Sequence, residues 1–172
     1  MDNLGTSYKF IKIFLSFIIF LLSMDSNAIS IFDTGKVYTF SGISGIIQKD
    51  GIPIKNATVV RKVYYQKNKI DKTKTNEVGY FEMPALFERS LLSLLPQEFV
   101  VNQFIAITTN GEEHIIWDGV KRIKNENSES RGKPLFVICD IEKEYQVIEV
   151  DGQRFITKCK WDVIPDSANK EV

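Results

Sequence analysis

Residues 42–60 read Gly42-Ile-Ser-Gly-Ile-Ile-Gln-Lys-Asp-Gly-Ile-Pro-Ile-Lys-Asn-Ala-Thr-Val-Val60, and residues 75–83 read Thr75-Asn-Glu-Val-Gly-Tyr-Phe-Glu-Met83. Together they set out a β architecture. A strand ends in an Asp50-Gly51 turn, Pro53 fixes the exit, and a second strand starts at Ala57. A second glycine turn at Gly79 then precedes an aromatic strand in which Phe81 and Met83 point inward. Gly42 and Gly45 inside the first strand mark a bulge or a close approach of another backbone.

Working outward, Val37 to Ile47 form one strand with apolar residues on both faces. Ala57 to Tyr65 alternate, with Ala57, Val59, Val63 and Tyr65 on one side and Arg61 intruding among them. Gln66 to Lys74 are polar and basic and read as an exposed hairpin tip or edge. From Leu86 to Leu95 the apolar residues recur at helical spacing until Pro96, so one short helical insert is expected over 85–95. Its apolar side serves either the core or a partner. Phe99 to Thr109, Asn110-Gly111 and Glu112 to Trp117 form a hairpin. Asp118 to Lys133 are a long polar stretch expected to be mobile. Leu135 to Cys139 form a buried strand, and Asp151-Gly152 turns a last hairpin between Tyr145–Val150 and Gln153–Lys160. Eight or nine short strands with regular turns and one helical insert predict an all-β, antiparallel β-sandwich. It is a single domain over 29–164, with a disordered polar tail at 165–172.

The chain has 172 residues, zero formal net charge, 44% hydrophobic and 12% aromatic residues. That is a globular composition with no basic excess to suggest a nucleic-acid partner. Residues 1–28 read as a signal peptide. Lys9 and Lys12 precede the apolar run Ile13 to Leu22, and Ser26 and Ala28 supply the small residues a signal peptidase requires. The run is about half the ~20 residues of a spanning helix, so cleavage after Ala28 is expected, with no membrane association afterwards. In an oxidising compartment the only two cysteines, Cys139 and Cys159, are expected to bridge. Closing so short a loop contributes about 3 kcal/mol in the loop-entropy account.

The opening stretches resemble the carboxypeptidase regulatory-like domain. Its pattern is matched at Gly45-Ile-Ile, at Gly51-Ile-Pro-Ile-Lys-Asn-Ala57 and at Thr75-Asn-Glu-Val-Gly79-Tyr-Phe81. That resemblance implies a prealbumin-like (transthyretin-like) seven-stranded sandwich, and it covers the first third of the mature chain. The later residues, including Pro84-Ala-Leu-Phe, Gln103-Phe-Ile-Ala-Ile and Gly132-Lys-Pro-Leu-Phe-Val-Ile-Cys139-Asp, are similar to a small family of secreted proteobacterial proteins. Some of these are encoded beside type VI secretion toxins, which implies a toxin-neutralising role.

The residues themselves point to no reaction. His114 is the single histidine, no Gly-x-Ser-x-Gly stretch accompanies it, and it reads as an exposed or half-buried strand residue. Glu112 and Glu113 are strand neighbours that face opposite ways and so form no carboxylate pair. The hydrolase hosted by the prealbumin-like fold carries a Tyr-Arg-Gly-Ser-like C-terminus, which is absent here. No cofactor or metal is expected. The leading expectation is a periplasmic immunity protein that binds a cognate secreted toxin. Its contacts are expected at Trp117, Asp118, Lys121, Arg122, Glu126, Glu129 and Arg131 in and beside the long loop, and at Glu88 and Arg89 in the helical insert. The alternative is a carbohydrate- or small-ligand-binding module. Tyr38, Tyr64, Tyr65 and Tyr80 are its candidate aromatic platform, although core packing and strand pairing explain them better.

Overall fold

The computed structural model describes residues 35–89 and 95–166. The expected signal peptide, the end of the expected helical insert and the last six residues lie outside the described residues. What is described is a β-sandwich of thirteen strands: β1 Lys36–Phe40, β2 Ile43–Lys49, β3 Ile52–Pro53, β4 Thr58–Tyr64, β5 Lys69–Lys74, β6 Tyr80–Met83, β7 Leu86–Arg89, β8 Val101–Thr109, β9 Glu112–Lys121, β10 Leu135–Asp140, β11 Gln146–Val150, β12 Gln153–Thr157 and β13 Cys159–Trp161.

Two sheets form the layers. One runs β11-β12-β9-β8-β4-β5, and the other runs β13-β10-β2-β3 with β6 also paired to β2. A separate ribbon joins β1 to β7. The pairing is antiparallel with one exception: β2 and β10 run parallel, from Ile43 opposite Leu135 to Gln48 opposite Asp140. The core between the layers contains Ile43, Ile47, Phe81 and Val137 from one sheet and Val59, Ile105, Ile107, Trp117 and Phe155 from the other. Phe40 bridges the layers, with its ring centroid 6.2 Å from that of Trp117.

The turns behave as their residues dictate. Asp50-Gly51, Asn110-Gly111 and Asp151-Gly152 all have positive φ at both positions, the type I′ geometry that suits the twist of a two-residue hairpin. Gly45 stands where β10 comes closest, and a Cβ there would lie 2.1 Å from the Val137 carbonyl oxygen. The Thr75–Gly79 segment is a built turn. Thr75 Oγ1 accepts from the Ala57 amide at 2.9 Å and donates to the Ile54 carbonyl at 2.7 Å. Asn76 Oδ1 accepts from the amides of Val78 and Tyr80, each at 3.0 Å.

Several expectations are corrected. Leu86–Arg89 form a strand against β1 rather than the start of a helix. Their helical spacing coincides with an alternation that half-buries Leu86 and Glu88, and pairing to β1 decides between the two periods. The Val37–Ile47 strand breaks at Ser41-Gly42, which frees β1 to join β7. A bulge between Ile105 and Ala106 sets two residues of β9 against one step of β8, so consecutive Ile116 and Trp117 are both buried. The final hairpin also ends early. After Thr157 the chain crosses to the other sheet, and β13 pairs with β10 so that Cys159 lies directly opposite Cys139. The expected disulfide is present, and its cysteines meet across the paired strands β10 and β13. The ordered chain passes residue 164. Asp166 donates its amide to the Glu149 carbonyl at 2.7 Å, and its carboxylate accepts from the amides of Asp151 and Gly152.

Candidate protein-interaction site

The stretch after β9, expected to be a mobile loop, is held from below by a polar cluster inside the sandwich. Residues 128–130 make a single 3-10 turn between Asn127 and Arg131, both in the left-handed region. That turn drives Glu129 into the core, where it is 0% exposed. Its Oε2 lies 2.7 Å from Lys121 Nζ and accepts from Ser41 Oγ at 2.5 Å. Its Oε1 accepts from Gln103 Nε2 at 2.9 Å and from the Ser41 amide at 3.3 Å. Lys121, also 0% exposed, donates to the Asn125 carbonyl and Ser128 Oγ as well as to Glu129. Three acceptors use all three protons of an ammonium group, so the lysine is charged in this arrangement.

Burial pushes the Glu129 carboxyl upward, but the Lys121 charge and the hydrogen bonds from Lys121, Ser41 and Gln103 outweigh it and hold the group below its ordinary value. Burial pulls Lys121 down, with Glu129 opposing that pull. Around this pair, Gln153 Nε2 donates to the Ser128 carbonyl at 3.0 Å, and Trp161 Nε1 donates to the Glu129 carbonyl at 3.0 Å. The turn is therefore tied to β8, β9, β12 and β13 at once, and Trp161 stands two residues from the disulfide.

This arrangement removes three of the expected contact residues from the surface. Trp117, Lys121 and Glu129 are fully buried. Trp117 faces inward because of the β9 bulge, and packs at 4.9 Å from Phe155 and 5.0 Å from Trp161. Lys121 and Glu129 are buried because each satisfies the other. Arg122, Glu126 and Arg131 stay exposed along the loop. Arg122 pairs with Glu98. Arg131 reaches Asp151 at 2.7 Å and Asp166 at 2.5 Å, which fastens the loop to the last hairpin and the chain end. Asp118 is not in the loop at all. It stands on the outer face of the six-stranded sheet, where burial raises its carboxyl above the ordinary value. Glu88 and Arg89 belong to β7. Glu88 lies 3.4 Å from Lys69, and the Arg89 guanidinium sits 5.2 Å from the Phe87 ring centroid.

The anchors Ser41, Gln103 and Gln153 were not among the expected functional residues, although two of them carry a signal. Gln103 occupies a core-facing position between Val101 and Ile105, and Gln153 precedes the core-facing Phe155 by two. A polar residue at an inward position of an apolar alternation implies a buried partner.

The candidate tyrosines do not form one platform. Tyr38 lies on the β1–β7 ribbon beside Phe87, and Tyr64 stands on the outer face of the six-stranded sheet against Phe104. Tyr65 packs on Phe99, and Tyr80 belongs to the other sheet and donates to Glu82. His114 is half-buried, 3.8 Å from Glu112, and lines an open cleft with Lys49, Asp50, Pro53 and Lys55. Among the described residues no group of three metal-ligating side chains occurs.

A family model described as "Domain of unknown function (DUF6795)" matches residues 43–144, more than half of the chain. The match runs from β2 to just beyond β10 and contains the anchored loop. No curated protein matches, and no solved structure matches.

Proposed function

We propose that this chain, which belongs to the DUF6795 family, is an exported immunity protein that neutralises a secreted interbacterial toxin by direct protein–protein binding in the periplasm. The observation that carries the reading is the anchored loop. A thirteen-residue polar connection between β9 and β10, residues 122–134, is fastened by a buried ion pair, while Arg122, Glu126 and Arg131 remain at its surface. A loop ordered in advance loses little entropy on binding, so its exposed charges can select a partner efficiently. The buried disulfide suits an oxidising compartment. Among the described residues no helix is long and apolar enough to cross a membrane.

The test is calorimetric titration of the protein with each secreted protein encoded beside its gene. A complex is expected, and Arg122→Glu together with Glu126→Lys weakens it by about tenfold or more without lowering the thermal midpoint. Absence of any complex in micromolar mixtures ends this reading. One observation favours the small-ligand alternative: the cleft beside His114 has a volume of about 450 Å³, within the range of ligand pockets. A glycan and metabolite binding screen that yields a ligand displaced by His114→Ala would shift the assignment there.

A further inference from the structure

The centre of the outer face of the six-stranded sheet, between the charged residues Lys72, Glu113 and Arg154 at its margins, is largely apolar and holds Lys62 and Asp118. One cross-strand row reads Ile70, Lys62, Phe104, Asp118, Ile156, from β5 through β4, β8 and β9 to β12. Ile70 is 67% exposed, and Phe104 is half-buried in the middle of the row. Among the described residues neither the Lys62 ammonium nor the Asp118 carboxylate has a hydrogen-bond or ion-pair partner. A half-buried carboxylate on an apolar face is costly unless something supplies a cation.

The row has a symmetry that names what supplies it. Lys62 and Asp118 stand one strand to either side of Phe104, about 5 Å each way at the spacing of paired strands. Take a twofold axis in the plane of contact, parallel to β8 and running over Phe104. It lays Lys62 of one copy over Asp118 of a second copy, and the reverse. Ile70 then meets Ile156, and Phe104 meets Phe104. The neighbouring rows obey the same operation. Val60 and Ile115 flank Ala106, so apolar falls on apolar. Tyr64 and Val120 flank Asn102, with the same result. An isologous contact requires this kind of self-complementarity, and two twisted sheets stack face to face with strands nearly aligned.

We propose that this face is the interface of a homodimer, closed by two reciprocal Lys62–Asp118 ion pairs about a Phe104–Phe104 centre. The occupant is a second copy of this chain, and the proposal is independent of the toxin reading, which uses the loop after β9.

Sedimentation equilibrium on the full secreted chain tests it. The wild-type protein is expected to dimerise in the micromolar range. Lys62→Glu and Asp118→Lys each place like charges opposite one another twice, and each weakens dimerisation by about tenfold or more. An equimolar mixture of the two variants restores association, because each copy then supplies the charge the other lacks. Phe104→Glu, at the centre, abolishes the dimer with the circular dichroism spectrum unchanged, which guards against a folding artefact. A wild-type monomer throughout the micromolar range overturns the proposal. So does a dimer indifferent to these substitutions, or one weakened by both single variants and not recovered by mixing them.

Discussion

Asp118 and Lys121 lie three residues apart on β9, and their surroundings are opposite. Lys121 points into the sandwich and meets Glu129, Ser128 and the Asn125 carbonyl, with no water contact. Asp118 points out of the same sheet into a patch of Phe104 and Ile156 and meets no donor among the described residues. The contrast separates two uses of charge on a sheet. Where the chain supplies every partner, an ion pair organises the interior and locks a loop. Where it does not, a half-buried charge marks a surface that something else completes.

The largest expected effect comes from breaking the satisfied side. Glu129→Ala strands the Lys121 ammonium in the core and should cost about 3–5 kcal/mol in denaturant unfolding. The double variant Lys121→Met with Glu129→Leu should cost clearly less than Glu129→Ala alone, because no charge is left unpaired. A Glu129→Ala protein as stable as wild type would falsify the anchoring role. Next comes the disulfide. Cys139→Ala with Cys159→Ala, compared with wild type in the absence of reductant, should lower stability by about 3 kcal/mol, the value for closing a loop of this length.

Asp140 provides a smaller effect with a pH signature. Its carboxylate accepts from the amides of Asp50, Gly51 and Glu142 and from Gln48, tying the turn after β2 to the end of β10. Burial alone pushes this carboxyl upward, but those donors outweigh it and hold the group below the ordinary carboxyl value. A lowered folded-state value means the stabilisation is fully present above about pH 4 and disappears as pH falls through the folded value. Asp140→Asn should therefore cost about 1–2 kcal/mol at neutral pH, with the two unfolding curves converging in acid. The smallest effect belongs to the open side. Asp118→Asn, measured in dilute solution, should change stability by less than about 0.5 kcal/mol. Its sign should be opposite to that of Asp140→Asn, since a raised carboxyl value makes the ionised form a slight burden at neutral pH. A loss comparable to that of Glu129→Ala would erase the distinction between the two sites.

Much of the fold was legible locally. The Asp-Gly and Asn-Gly pairs predicted their hairpins because few other dipeptides accept two positive φ values in succession. Thr75 to Gly79 predicted a turn, and Gly45 a close backbone approach, from properties of single residues. The helical spacing at Leu86 misled, because a four-residue apolar segment suits either period and its pairing with β1 is non-local. The candidate site was less legible. Arg122, Glu126 and Arg131 lie exposed on the loop, as a polar stretch suggests, whereas Trp117, Lys121 and Glu129 are buried by a bulge and an ion pair that residue type alone does not reveal.

What the sequence alone determined is the β class, the hairpin turns and the cysteine pair, since these follow from backbone preferences and from there being only two thiols. Only the tertiary structure decided which charges are inside. The bulge in β9 turns Trp117 inward, the 3-10 turn at 128–130 delivers Glu129 to Lys121, and the pairing of β4, β8 and β9 sets Lys62 and Asp118 on either side of Phe104. Each of these depends on residues far apart in the chain meeting in register, and no local spacing encodes that meeting.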